Sequence, residues 1–248
     1  MKILVCISHV PDTTSKINFV DDDTVFDKNG VKFVINPNDE FGLTRAVWFQ
    51  QKQQAEVTVV TVGDPSCEPT LRKCLAIGAD KAVRIDLNPT DGFQVAQQLS
   101  AHCKVENYDL IIAGRESIDY NGAMVPGMVS ALLGYNFVTN CMALEIDGNS
   151  VKASREIDEG IESVSCQLPL VIGAQKGLVE EKDLIIPNMR GIMQARQKSL
   201  SVIPPVEGEI RSSITKFEKP AHKEAVKMVD ADQIDQLIDL LHNEAKVI

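Results

Sequence analysis

Val57-Thr58-Val59-Val60-Thr61-Val62 is an unbroken run of β-branched residues, typical of a strand that is covered on both faces. Such strands belong to parallel sheets, in which helices connect one strand to the next. Residues 2–8, 82–85 and 109–113 are further apolar runs that predict strands. Between the runs, amphipathic stretches predict helices on both faces of the sheet, one starting at Asp39 or Glu40, one over 66–76 with Gly78 closing it, and one over 93–103.

The pattern changes after about residue 135. Residues 141–146 and 151–155 flank Asp147-Gly148-Asn149 and predict a β-hairpin, and 161–166 and 168–172 are two more strand candidates. From Gly177 to Lys198 no clean period is present, which predicts a long irregular loop that protrudes from the domain. We therefore expect an α/β domain over 1–198 that includes this loop.

The remaining residues, 199–248, predict a polar C-terminal arm that ends in a helix. Two proline-containing pairs, Pro204-Pro205 and Lys219-Pro220, favour an extended chain in the arm. Ile234, Leu237, Ile238 and Leu241 recur at helical spacing, so the terminal helix has one apolar face that needs a covering surface. The arm either folds back on its own sheet or embraces a partner.

Composition excludes several classes of protein. A formal net charge of -10 argues against nucleic-acid binding, which needs a basic surface. No segment approaches the roughly 20 apolar residues of a membrane span, so we do not expect an integral membrane protein. The first residues read as a strand rather than a signal peptide, and the six cysteines lack any CxxC spacing. These features predict reduced thiols and a cytoplasmic, bacterial location.

Motifs for catalysis and for metal binding are missing. The sequence has no GxSxG, HExxH, CxxCH or GxGxxG, so we predict neither catalytic residues nor a metal site. Gly122 and Gly127 have the spacing of a phosphate-binding P-loop, but Met128-Val129 stand where Lys and Ser/Thr are required. Three of the four histidines, at 102, 222 and 242, read as surface residues, while His9 follows the first strand and stays a candidate.

Three loops follow predicted strands and could converge at one edge of the sheet: His9–Thr13, Asn36–Glu40 and Gly114–Gly127. The third loop carries glycine and leads into a helix, whose first N–H groups can receive an anion. Asp119, which only accepts hydrogen bonds when ionised, suits ribose hydroxyls. Each loop alone could be an ordinary turn; together they predict a nucleotide site.

Six motifs occur in order along the chain: Val10-Pro11-Asp12, Val34-Ile35-Asn36-Pro37, residues 74–80, residues 114–127, Arg155-Glu156-Ile157-Asp158-Glu159-Gly160 and residues 187–193. With this order and spacing, the chain resembles the beta subunit of electron transfer flavoprotein over nearly its whole length. The resemblance implies a sheet of the adenine-nucleotide-binding type. It also implies a heterodimer with an alpha subunit that shares one FAD, while the beta subunit itself holds AMP.

The resemblance further implies a role and a set of contacts. The heterodimer would take electrons from acyl-CoA and related flavin dehydrogenases and pass them to a quinone reductase. AMP contacts would fall at Cys6, Asn36, Pro37, Asn38, Asp39, Val62, Ser117, Ile118, Asp119, Tyr120, Asn121, Gly122, Ala123, Met124, Val125, Pro126, Gly127 and Met128. Dehydrogenases would dock on loop 177–198, with Met189 or Ile186 as the apolar anchor and Arg190, Arg196 and Lys198 as the basic patch.

Two alternatives stay open. The family often has Gln and Thr side chains where this chain has Ala123-Met124-Val125-Pro126. Some relatives hold a second FAD in place of AMP and split electrons from NADH between two acceptors, and this chain keeps only part of their loop pattern. The other alternative is a stand-alone nucleotide-binding regulator of the stress-protein type, for which we expect a homodimer of much shorter chains.

Overall fold

The computed structural model describes residues 1–221 and 225–248, so His222 lies outside the described residues. Within them the strands are β1 Lys2–Cys6, β2 His9–Pro11, β3 Phe19–Val20, β4 Val25–Phe26, β5 Phe33–Ile35, β6 Glu56–Val62, β7 Lys81–Ile85, β8 Leu110–Gly114, β9 Asn136–Asp147, β10 Ser150–Ile157, β11 Gly160–Gln167, β12 Leu170–Ala174 and β13 Leu200–Ile203. The helices are α1 Pro37–Gln53, α2 Glu68–Ile77, α3 Gly92–Glu106, α4 Val125–Leu133, α5 Met189–Ala195 and α6 Ile234–Asp239.

One nine-stranded sheet organises the domain, in the order β11-β10-β9-β12-β8-β1-β6-β7-β13. All neighbours from β9 to β13 run parallel, and β10 and β11 add an antiparallel extension at one edge. Two short two-stranded sheets, β2–β5 and β3–β4, lie outside it. The predicted fold class, an α/β fold with a mostly parallel central sheet, is confirmed.

Both faces of the central strands are covered, as the β-branched run predicted. Alternate residues of β6 point to opposite sides, so Val57 and Val59 pack on the face of α1 and α2, while Val60 packs on the face of α3 and α4. All three are fully buried. Burying an aliphatic side chain of this kind contributes about 1.5–3 kcal/mol, and such strands therefore anchor the layers.

The antiparallel extension grows from β9, which spans 12 residues. The first part of β9 pairs in parallel with β12, and the remainder turns back through Gly148 into β10. Gly148 has φ +57°, in the left-handed region that favours glycine, and this is the turn that the sequence predicted.

Two segments differ from the sequence expectation. Loop 177–198 was expected to be irregular, but its last third forms α5, with Asn188 accepting a hydrogen bond from the N–H of Gly191 as the N-terminal cap. The arm was expected to begin at Ser199, but residues 200–203 form β13 and pair with β7 at the sheet edge. Four residues are too few for a clear period-2 pattern, which explains why the strand was missed.

The described first part of the arm lies along its own domain. Gln98 of α3 pairs with Val206 through both amide atoms, each at 2.8 Å, and Gln97 accepts from the N–H of Glu209 at 2.9 Å. Asp91, the N-cap of α3, also accepts from the N–H groups of Arg211 and Ser212 at 2.7 and 2.8 Å. Side chains of α3 thus satisfy main-chain groups of the arm, as a neighbouring strand would.

Farther along, the arm reaches the β3–β4 hairpin. Phe217 stacks on Phe19 with ring centroids 4.6 Å apart, and its N–H donates to the carbonyl of Asp23 at 2.7 Å. Beyond the gap in the described residues, α6 exposes apolar side chains, among them Ile234, Leu237 and Ile238. The arm therefore contacts its own domain as far as Lys219, and among the described residues the apolar side chains of the terminal helix are exposed.

Substituting Gln98→Ala should release the arm from α3, because both polar groups of Val206 lose their protein partner. We expect faster cleavage within residues 204–219 in limited proteolysis followed by mass spectrometry, with little change in the melting temperature. Gln51→Ala, at an exposed glutamine of α1, is the matched control and should cut like the wild type. Equal cleavage rates in the two variants would contradict the role of Gln98.

Candidate nucleotide-binding site

The candidate site lies where the strand order reverses. From β1 the chain builds the sheet outward in one direction through β6 and β7, and later in the other through β8 and β12. The loops that leave the carboxyl ends of β1 and β8 therefore separate, and open α/β sheets bind ligands in the crevice between them. Ile7 and Arg115 are the first residues of these loops beyond the strand ends, and Ser8 follows Ile7.

Asp39, in the first turn of α1, joins the ends of β1 and β8 through its carboxylate. Its carboxylate accepts from the N–H of Ser8 at 2.7 Å and from the N–H of Gly114 at 2.7 Å. The side chain is only 2% exposed, and burial raises the pKa of Asp39 to about 7 although both N–H groups favour the ionised form. A buried carboxylate is costly unless its oxygens are hydrogen-bonded, so this residue ties the ends of β1 and β8 to the start of α1.

Asn36, fully buried before α1, binds the same loops from the side. Its amide nitrogen donates to the carbonyl of Glu116 at 2.9 Å, and its amide oxygen accepts from the N–H of Ile118 at 3.3 Å. Asn38 donates to the same carbonyl at 3.2 Å. The second and third predicted loops therefore converge through direct hydrogen bonds.

Gly114 is required for this convergence. A Cβ at this position would overlap the Oδ1 atom of Asp39 and lie 2.8 Å from the amide nitrogen of Asn36. Only glycine lets the main chain of β8 approach both side chains this closely.

The other predicted contacts surround the crevice. Cys6 and Val62 are the last residues of the adjacent strands β1 and β6, and are buried and half-buried. In the loop before α4, Asn121 and Ala123 adopt φ of +48° and +49°, so the chain turns sharply there. Exposed residues of this loop are Asp119, Tyr120, Asn121, Gly122, Ala123 and Met124; Ser117, Ile118, Val125, Gly127 and Met128 are half-buried, and Pro126 is buried.

The first turn of α4 offers main-chain donors. Among the described residues no side chain caps this helix, whose N-cap position is Met124. The first N–H groups of a helix have no acceptor within it, although Pro126 removes one of them. Arg115, the cation beside the crevice, pairs with the carboxylate of Glu116 at 2.7 Å. An anionic ligand here would meet the first N–H groups of α4 and, in Arg115, a cation that is already paired with a carboxylate.

His9 begins strand β2, where the sequence predicted a loop, and its ring is held by neighbouring side chains. Its ring stacks on Phe33 with centroids 4.5 Å apart, and Nδ1 lies 2.8 Å from the hydroxyl of Thr70. Burial lowers the pKa of His9, which favours the neutral ring. Among the described residues no cluster of three or more His, Cys, Asp or Glu side chains is arranged to hold a metal ion.

The proposed contacts of the protruding loop separate into two groups. Ile186 and Met189 are 83% and 74% exposed, and Arg190 and Arg196 are exposed as well. Lys198 is half-buried, and its ammonium donates to the carbonyls of Leu75, Gly78 and Ala79 at 3.1, 3.4 and 2.7 Å. The Lys198 charge is therefore engaged at the end of α2, whereas the side chains of Arg190 and Arg196 are exposed.

Sequence reasoning missed Ser8 and Glu116, whose main-chain N–H and carbonyl groups bind Asp39 and Asn36, because main-chain contacts leave no signature in the sequence. It also missed a cleft of about 490 Å³ between α3 and the β7–β13 edge. The cleft lies away from the strand-end loops, and its two aromatic polar groups, His102 and Tyr108, are bonded to each other at 3.1 Å. The crevice above β1 and β8 therefore stays the candidate nucleotide site.

Within the part of the chain that the structure describes, no helix combines the length and apolar character needed to cross a bilayer.

Comparison with known proteins identifies relatives over the whole chain. Residues 23–207 match the model of the electron transfer flavoprotein domain. The chain is 32% identical to the electron transfer flavoprotein subunit beta of Bacillus subtilis (strain 168) over 262 aligned positions, and these cover 100% of both chains. It is 33% identical to the mitochondrial subunit beta of Arabidopsis thaliana, again over 100% of both chains, and 30% identical to the human subunit beta over 94% of each.

Asp39→Asn should weaken the convergence of the loops, because an amide presents a donor to one of two N–H groups and leaves that group unpaired. A buried unsatisfied donor costs about 1–3 kcal/mol, and we expect the free energy of unfolding to fall by that amount in urea titrations. Asp119→Asn, at an exposed position, is the control and should unfold like the wild type. Equal stability of Asp39→Asn and the control would contradict the role given to Asp39.

Proposed function

The chain belongs to the family of electron transfer flavoprotein beta subunits, and from this premise we propose that it is the beta subunit of a heterodimeric electron carrier. It pairs with an alpha subunit, shares one FAD with it and binds AMP itself. The heterodimer carries electrons from acyl-CoA-type flavin dehydrogenases to a quinone reductase. The observation that carries the proposal is the full-length match to beta subunits. A much shorter stress-type regulator does not account for a match of this extent.

The residues of the crevice fit AMP. The uncapped first turn of α4 offers N–H groups to the phosphate, and the carboxylate of Asp119 suits the ribose hydroxyls. Cys6 and Val62 form the floor at the ends of β1 and β6. Asn36 and Asp39 are satisfied within the protein, so their part is to hold the loops in place around the nucleotide.

FAD, when bound, supplies the redox chemistry. We assign no side chain of this chain a proton-transfer step, and we propose that its residues bind, orient and cover the cofactor at the subunit boundary. The exposed apolar residues of α6 are the part of the arm that we propose to pack on the alpha subunit, since an amphipathic helix needs a surface for its apolar face. The bacterial cytoplasm stays the predicted location.

Dehydrogenase docking is proposed for the tip of loop 177–198. Ile186 and Met189 stand out from the surface as apolar anchors, with Arg190 and Arg196 beside them. An exposed apolar residue supplies affinity once desolvated, and nearby charges raise the rate of encounter with a partner of opposite sign. Because its ammonium is engaged at α2, Lys198 is expected to act on the position of this loop more than on the encounter.

The nucleotide content of the heterodimer tests the proposal directly. We would co-express the chain with its alpha subunit, purify the complex, denature it and quantify the released nucleotides by chromatography. One FAD and one AMP per heterodimer is the expected result. Two FAD and no AMP would instead show that the crevice holds a second flavin, as in the NADH-dependent bifurcating relatives. Isolation of the chain as a folded homodimer that takes no part in a flavin complex would favour the regulator.

Met189→Ala or Ile186→Ala should slow electron transfer from an acyl-CoA dehydrogenase to the flavin by roughly tenfold, since truncating an anchor at the centre of an interface costs more than about 1 kcal/mol. The FAD content should not change, because both side chains are exposed. Stopped-flow or steady-state flavin reduction measures the first quantity and absorbance the second. Loss of FAD would place this loop in the flavin site, against its proposed role.

A further inference from the structure

Helices α2 and α5 are joined by reciprocal hydrogen bonds at their carboxyl ends. In each case a cationic side chain of one segment donates to carbonyl groups of the other. Arg72 of α2 donates to the carbonyls of Ala195 and Lys198 at 2.8 Å each, at the end of α5. In return Lys198 donates to the carbonyls of Leu75, Gly78 and Ala79, at the end of α2. The last carbonyls of a helix have no partner within the helix. A cation placed there also interacts favourably with the negative end of the helix dipole. Each helix thus receives its C-terminal cap from the segment of the other.

The two helices also approach closely at Gly191. A Cβ on Gly191 would lie 2.5 Å from the carbonyl oxygen of Ala76 in α2. Any larger side chain must therefore push α5 away from α2. Ala195, one turn farther along α5, is 3% exposed and belongs to the core.

Contact with α2 is needed for α5 to exist. The helix has only seven residues, and isolated helices shorter than about 12 residues are marginal in water. Its outer side is formed by Met189 and Met193, which lie one turn apart and are 74% and 66% exposed. Together with Ile186 they form what we name the docking face. This face gains nothing from burial within the chain, so other contacts must fix its position.

We propose that Arg72, Gly191 and Lys198 are positioning residues that hold the docking face in place for the electron-donating dehydrogenase. The inference rests on the proposed function, because it takes the docking face to be the dehydrogenase contact. A face held in one conformation before binding loses less conformational entropy on association. Loosening α5 therefore weakens binding even when every docking side chain is still present.

The test uses the complete heterodimer with an acyl-CoA dehydrogenase that reduces the unaltered protein. The variants are Arg72→Met, Arg72→Lys and Gly191→Ala, with Lys73→Met as the matched control. Lys73 is the next residue of α2, and its ammonium pairs with Glu40 rather than with α5. Concentrations are taken from flavin absorbance, so that only assembled heterodimer is counted. Reduction by dithionite, which needs no docking, serves as the dehydrogenase-independent rate.

Arg72→Met and Gly191→Ala should each raise KM for the heterodimer by roughly tenfold, the factor expected when binding must immobilise one more flexible side chain. The kcat value and the dithionite rate should not change. Lys73→Met should stay within about twofold of the wild type. Arg72→Lys should recover part of the loss, because it keeps the charge but not the rigid planar group whose Nη1 atom donates to both carbonyls.

Two results would overturn the inference in different ways. If Met189→Ala and Ile186→Ala raise KM while Arg72→Met and Gly191→Ala do not, docking is right and the positioning role is wrong. A fall in melting temperature with unchanged KM counts as this outcome. If the anchor variants also leave KM unchanged, the proposed docking role itself fails, and the inference fails with it. Should Arg72→Met not assemble, Gly191→Ala alone decides between these results.

Discussion

The site depends on one buried carboxylate. Asp39 receives the N–H groups of Ser8 and Gly114, and these two groups lie at the ends of the neighbouring strands β1 and β8. Removing a charge from water is unfavourable, so such a residue persists only when protein donors replace the solvent. Asp39 needs the two N–H donors, and the donors in turn meet the carboxylate only because α1 begins at Pro37 and places Asp39 between the two strand ends. The crevice, the loop before α4 and the start of α1 are therefore one unit.

A second unit is built from helix ends. The exchange of caps between Arg72 and Lys198 binds a short surface helix to one of the main helices of the sheet. The polar base and the apolar tip of loop 177–198 thus have separate tasks. The base uses its cations and a glycine for position, whereas the tip keeps Ile186 and Met189 in solvent. Under the proposed function, these exposed apolar groups are the contact of a transient partner.

Much of the architecture could be predicted from local patterns. Three predicted elements depend on interactions between residues close in the chain: the strand at 57–62, the turn at Gly148 and the helix that ends at Gly78. Each is present within a few residues of its predicted bounds. Strand β13 and helix α5 could not be predicted in this way. The first has four residues and gains its partner only at the sheet edge, and the second forms because α2 caps it. Neither has enough internal contacts to leave a periodic signal.

The sequence by itself determined the fold class, the family and the two loops, 36–40 and 114–127, that converge at the candidate site, because these follow from side-chain periodicity and from motifs in a fixed order. Only the tertiary structure decided what the residues within those loops do. It assigned Asn36 and Asp39 to hold the loops, gave His9 a packing role and engaged the ammonium of Lys198 at α2. The physical reason is that a polar side chain takes its role from the partner it meets. The partners here lie from about 24 to 120 residues away in the chain, where no local pattern can report them.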